Sequence, residues 1–300
     1  MTAQTLLYCV GATKAGTSWL YRVLHDHPEC KLRDVKEAHY WDTMGPKMQA
    51  NQTAAFDRRI AEFTMMQVRA EVNGNTARAE NLALQIDELA RLRDVIAASR
   101  SDDAAYWEWL SRDADGAKLI ADMTPSYALV NGDMLKRMLA LRPVTKVVYL
   151  IRDPLARLWS HVRMTVTRSD EDSDASFDER SNAVLASVIR EGAQKHITKR
   201  GDYAAVIEKL RRIVPASDLM IEFAENLFTA EGWARMCRFL GITDLGVDQT
   251  RKVHEGNRAR LHEDLAVEAV RFLKDQYEWV AKHVAPLPQE WQANLARVRA

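Results

Sequence analysis

A three-layer α/β fold around a central parallel sheet is what this chain predicts, on three observations. Residues 6–10, 146–151 and 219–223 are short, largely apolar runs, the pattern of strands buried on both faces. The first two pass at once into a turn and then into apolar residues at helical spacing. Strands that alternate with helices pair in parallel, because each crossover helix carries the chain back across a face of the sheet.

The elements justify themselves in order. Gly11 ends the first run, and after the turn 11–16 the residues Trp19, Leu20, Val23 and Leu24 mark one face of a helix that His27-Pro28 stops. The run 146–151 is followed by Pro154, a favoured first helical residue, with Leu155, Leu158, Trp159 and Val162 as the apolar face behind it. Residues 51–100 break the alternation. Phe56, Ile60 and Phe63, then Leu82, Ile86, Leu89, Leu92 and Ile96, recur at helical spacing on either side of Asn73-Gly74-Asn75. This predicts a helical hairpin inserted into one domain spanning 1–300, its stripe serving packing, against the core or in a homo-oligomer, rather than chemistry. Residues 168–181, with Asp170, Glu171, Asp172 and Asp174, are expected to form a solvated loop.

Bulk properties exclude several classes of function. Forty-two basic and 42 acidic residues cancel, so no global field draws the chain to nucleic acid or to an anionic membrane. Cys9, Cys30 and Cys237 are odd in number and lack a C-x-x-C pair, which speaks against a disulfide framework or a structural metal site. Residues 6–10 are too short for a signal segment, and no run approaches the ~20 apolar residues of a membrane span. A cytoplasmic protein is the expectation.

Gly11-Ala12-Thr13-Lys14-Ala15-Gly16-Thr17-Ser18 joins the first strand to the first helix. Small residues let backbone N–H groups approach an anion, the helix start adds its positive end, and Lys14 adds a mobile charge. The phosphate loop of nucleoside triphosphatases places its lysine directly before the hydroxyl residue. Here Gly16 stands there, and the lysine is two residues earlier, which does not suit a magnesium-triphosphate arrangement. Arg152-Asp153-Pro154 follows the second strand, and Ser160 lies two helical turns on, a pair able to grip a second phosphate.

With these two motifs on strand–helix junctions, the chain resembles sulfotransferases that use 3′-phosphoadenosine-5′-phosphosulfate (PAPS), whose fold is P-loop-like. G-A-T-K-A-G-T-S-W-L resembles their 5′-phosphosulfate loop, and V-V-Y-L-I-R-D-P-L-A-R-L-W-S their 3′-phosphate element. Lys36-Glu37-Ala38-His39-Tyr40-Trp41 is similar to K-E-P-H-F-F of the heparan-sulfate-type (N- and 3-O-sulfotransferase-like) branch, and Asp122-Met123-Thr124-Pro125-Ser126-Tyr127 to its E-K-T-P-x-Y, as in a bacterial-like member. Gly201-Asp202-Tyr203 and Gly256-Asn257-Arg258 fit later parts of the family layout.

The resemblance implies PAPS as donor and its desulfated form, PAP, as product, with no metal. It implies donor contacts from Lys14, Ala15, Gly16, Thr17, Ser18, Trp19, Arg152, Ser160, Tyr203, Gly256, Asn257 and Arg258. It implies Lys14 on the leaving side and Glu37 as the base, with His39 and His161 as rival bases. The acceptor would be a hydroxyl or amine of a carbohydrate, lipid or small molecule. Two departures fall on the acceptor side: Met123 stands where the family has lysine, and Ala38 where it has proline. A nucleotide-dependent kinase and a catalytically silent nucleotide-binding protein are the alternatives.

Overall fold

The structure, a computed structural model, describes residues 4–100, 102–169, 174–247 and 257–298. Five strands form one sheet: β1 (Thr5–Gly11), β2 (Cys30–Leu32), β3 (Leu119–Asp122), β4 (Thr145–Ile151) and β5 (Leu219–Phe223). All neighbours are parallel, in the order β2-β3-β1-β4-β5. The three apolar runs of the sequence are β1, β4 and β5, and every residue of β1 is buried. β2 and β3 are three and four residues long, too short to show a period of their own.

Helices cover the sheet. α1 (Thr17–His25) leads from β1 toward β2, and α2 (Pro46–Val72), α3 (Thr76–Ala97) and α4 (Ala104–Ser111) separate β2 from β3. α5 (Gly132–Ala140) joins β3 to β4. α6 (Pro154–Arg168), α7 (Phe177–Glu191), α8 (Lys195–Lys199) and α9 (Tyr203–Ile213) lie between β4 and β5. After β5 come α10 (Ala224–Leu227), α11 (Ala230–Leu240), α12 (Glu263–Phe272), α13 (Lys274–His283) and α14 (Gln289–Ala296). The acid-rich stretch 168–181 is shorter as a loop than its composition suggests. α7 starts at Phe177 because Ser176 and Glu179 cap it reciprocally, and 170–173 lie outside the described residues.

The strand order positions the site. From β1 the chain turns to the β2–β3 side, then crosses to β4 on the other side of β1. Loops leaving the C-terminal ends of β1 and β4 therefore part over a crevice, where open α/β sheets bind ligands. Gly11, Asp122 and Ile151 end their strands on that edge.

The C-terminal helices brace this edge. Tyr277 of α13 donates its hydroxyl to Asp153 at 2.8 Å, while Asp153 caps α6 by accepting from the Ala156 N–H. Trp291 of α14 is fully buried, edge-on to Phe223 and Tyr277 and stacked near Tyr203. The turn after β4 is thus held from its own helix and from a segment more than 100 residues away.

Candidate functional site

The loop after β1 is shaped by close packing. A Cβ at Gly11 would sit 3.0 Å from the Tyr149 ring and 3.1 Å from the Pro125 carbonyl, so only glycine lets the loop pass. Lys14 and Gly16 both take positive φ, and a Cβ at Gly16 would meet the Phe228 ring at 3.1 Å. No side chain caps α1, so its first N–H groups and its positive dipole end open into the loop. Arg152 reaches across from the β4–α6 junction, its Nη1 donating to the Lys14 carbonyl at 3.4 Å. The Tyr203 hydroxyl donates to the Arg152 carbonyl at 2.6 Å and fixes that backbone.

Positive charge is concentrated here. Burial lowers the Lys14 ammonium below its usual range, and Arg163, Arg152, Arg168 and Lys36 lower it further. Arg163 and Arg168 share α6 with Ser160, and Arg163 donates to the Asn257 carbonyl at 3.0 Å. A neutral protein that gathers five cations in one crevice focuses a field suited to a polyanion.

The segment after β2 supplies acidic groups beside this cluster. Lys36 Nζ lies 3.3 Å from Thr17 Oγ1 and 3.0 Å from Glu37 Oε1, tying the phosphate-type loop to a carboxylate. Glu37 Oε2 lies 3.5 Å from His39 Nε2, and His39 Nδ1 donates to Asp42 at 3.0 Å. Ser126 donates to the same Asp42 oxygen at 2.5 Å. Burial alone would lower the His39 imidazole, but Asp42 and Glu37 outweigh it and lift the group to about 9. Burial alone would raise the Glu37 carboxyl, yet His39 and Lys36 outweigh that and hold it at about 2. At neutral pH the chain therefore presents an anionic Glu37 and a cationic His39. Glu37 keeps 41% of its side chain accessible, enough to meet a ligand.

Asp122 sets the position of this segment. One oxygen accepts from Thr124 at 2.6 Å, and the other from Tyr106 at 2.7 Å and Tyr127 at 2.8 Å. Thr124 in turn accepts from the Ala38 N–H, and Tyr127 from the Tyr40 N–H. Burial raises Asp122 to about 6 in spite of these donors. A carboxylate thus stands at a strand end, but both its oxygens are engaged in holding the 38–40 backbone.

The helical hairpin also grips this segment. Glu88 of α3 is buried against Arg33, pairing with its Nε and accepting from the Asp34 N–H at 2.9 Å. Arg100, just past α3, donates to the Tyr40 and Thr43 carbonyls and stacks over the Tyr40 ring. The hairpin is therefore a buttress of residues 33–44, and its first helix begins at Pro46 rather than near 51. Replacing Glu88 with glutamine leaves Arg33 without a buried counter-charge. It is expected to lower stability by about 1–3 kcal/mol. Chemical unfolding of the variant measures this, and an unchanged midpoint refutes the buttress.

The predicted site residues separate into two groups. Arg152 contacts the Lys14 carbonyl, Lys36 ties Thr17 to Glu37, and Glu37 reaches His39, while Gly16 and Ser18 share the loop and Ser160 lies half-buried on α6. Ala15, Trp19 and Tyr203 are buried, as is the Thr17 side chain beside Lys36. Trp19 packs edge-on to Phe228 and Trp233, and Tyr203 acts through the Arg152 backbone. Asn257 and Arg258 are exposed, and Gly256 lies outside the described residues. His161 is enclosed, accepting from Arg157 at 3.3 Å, and burial together with that cation pushes it down to about 3. Sequence reasoning missed Arg163 and Asp42. Each lies three residues beyond a flagged one, Ser160 and His39, and that spacing was the available signal.

A model of the sulfotransferase family matches residues 7–244, and the chain belongs to that family. A sulfotransferase structure from Alicyclobacillus acidocaldarius is similar, with TM-score 0.60 and 20% identity over 97% of this chain and 100% of that one. The sulfotransferase domain of the Synechococcus PCC 7002 olefin synthase matches at TM-score 0.49 and 17% identity, covering 98% of this chain and 92% of that domain. The first likeness bears out the α/β fold with a central parallel sheet. No curated protein matches the chain.

Proposed function

We propose that this protein moves a sulfuryl group from PAPS to a hydroxyl or amine of a carbohydrate, lipid or small-molecule acceptor. The observation that carries the reading is the Lys36 bridge, which sets a carboxylate beside the phosphate-type loop. The uncapped start of α1 and the cluster of Lys14, Arg152, Arg163 and Arg168 fit a nucleotide with phosphates at two positions. Cys9, Cys30 and Cys237 are all free thiols, which suits a reducing, cytoplasmic setting. The similarity of residues 36–41 to the heparan-sulfate-type branch supports placement near that branch.

The roles follow from chemistry. The donor supplies an activated sulfuryl group whose leaving group is a phosphate. Lys14, depleted of solvent and ringed by cations, neutralises negative charge as it builds on the leaving oxygen. Thr17, Ser18 and the α1 N–H groups hold the 5′ side, and Arg152 with Ser160 the 3′ side. Glu37 accepts the proton that the acceptor loses. His39, cationic and fixed by Asp42, orients Glu37 and replaces positive charge that Met123 does not provide. The kinase alternative needs a carboxylate able to hold magnesium, and Asp122 is fully engaged elsewhere.

Calorimetry with PAP and with ATP, followed by turnover of labelled PAPS over hydroxyl and amine acceptors, tests the reading. PAP should bind without magnesium about 10²-fold or more tighter than ATP, since only PAP offers a 3′-phosphate to Arg152. Tight magnesium-dependent ATP binding would indicate a kinase. PAP binding without turnover on any acceptor would indicate a silent binding protein.

A further inference from the structure

We propose that two copies of this chain pair through the outward face of α2, antiparallel, to form a four-helix contact between their hairpins. Among the described residues, α2 is apolar on two opposite faces. One face, with Phe56, Ile60, Phe63 and Ala70, packs against α3 and the core. The other carries Ala61, Met65, Val68 and Val72, at spacings of four, three and four residues. That is the repeat of a helix seam that meets another helix, not of a solvated surface. Met65, Val68 and Val72 are 60%, 52% and 81% exposed, and no element among the described residues covers them. At 27 residues, α2 runs roughly 40 Å.

Charge complementarity selects the occupant. In an antiparallel pair centred between residues 66 and 67, Met65 meets Val68 of the partner subunit and Ala61 meets Val72 of the partner subunit. The two-fold axis repeats each contact. The positions flanking this seam then bring Glu62 opposite Arg69 of the partner subunit, and Arg69 opposite Glu62 of the partner subunit. Neither Glu62 nor Arg69 has an ion pair within the chain among the described residues, so both are available. Registers shifted by one heptad lose half the apolar layers. The seam is short, so the pairing is weak and concentration-dependent.

Sedimentation equilibrium of the full chain tests this. A 34.1 kDa monomer should convert to a dimer between about 1 and 100 µM, the range a small interface supports. Val68→Lys should weaken dimerisation at least about tenfold. Glu62→Arg and Arg69→Glu should each weaken it, and the double variant, which exchanges the charges on both copies, should restore it. Mixing Met65→Cys with Val68→Cys protein should give a disulfide-linked pair more readily than either alone. PAP affinity should be the same in all variants, because α2 bears no donor contact. A monomer at every concentration, or a dimer indifferent to Val68→Lys, overturns the proposal. A monomer that Val68→Lys releases from phospholipid vesicles would assign the face to a lipid surface instead.

Discussion

Glu37→Gln is expected to lower turnover by about 10²–10⁴-fold while leaving PAP affinity unchanged. Glutamine keeps the length and hydrogen-bonding shape of the side chain but cannot take the acceptor's proton. The pH dependence adds a second signature. Glu37 is held at about 2, so it stays ionised and contributes no acidic limb between roughly pH 4 and 8. His39 is lifted to about 9, so it is protonated below that value and loses its charge above it. Activity should therefore hold through neutrality and fall as pH passes about 9, when Glu37 loses its orienting cation. Lys14→Ala should lower turnover and weaken PAP binding together, because the ammonium serves the leaving side. If Glu37→Gln turns over normally in a folded protein, the carboxylate is a structural partner of Lys36 and His39, and the base lies elsewhere.

How much of this was legible beforehand depends on the range of the interactions. β1 and β4 announced themselves because central parallel strands are continuously apolar, β5 because even at the sheet edge its run is mostly apolar, and the loops after β1 and β4 because their chemistry is local in sequence. β2 and β3 were hidden, since three or four residues carry no period and gain their strand geometry only from neighbours already in the sheet. The burial of the Trp19 and Tyr203 side chains was hidden for a related reason. Motif spacing puts a residue on an element but does not say which face the sheet will cover. Asp122 illustrates the longest range. Its motif was visible, with Thr124 and Tyr127 in it, yet Tyr106 and the N–H groups of Ala38 and Tyr40 that the motif holds come from segments brought together only by folding. The protonation of His39, by contrast, rests on Glu37 and Asp42 of its own segment, and only Ser126, which donates to Asp42, comes from another loop.

Arg152→Ala is expected to weaken PAP binding by about 2–4 kcal/mol, the loss when a charge-assisted partner of a phosphate is removed. The size of the effect follows from how firmly the residue is held. Its carbonyl accepts from Tyr203, its N–H points to the same hydroxyl at 3.3 Å, and the next residue is fixed by Tyr277 and by the Ala156 N–H. A guanidinium on so rigid a support needs little ordering when a phosphate arrives, so most of the interaction appears as affinity. Lys14, Arg163 and Arg168 stay in place, so general attraction for an anion persists in the variant. What should vanish is discrimination. Wild-type protein should prefer PAP to adenosine 5′-phosphate by a wide margin, and Arg152→Ala should bind the two almost equally. Arg152→Lys separates charge from shape: a point charge restores part of the affinity but not the two-pronged grip, leaving an intermediate preference. Calorimetric titration of both nucleotides against the three proteins measures this directly. An Arg152→Ala protein that still prefers PAP by the wild-type margin would move the 3′-phosphate contact to Arg163 or Arg168 on α6.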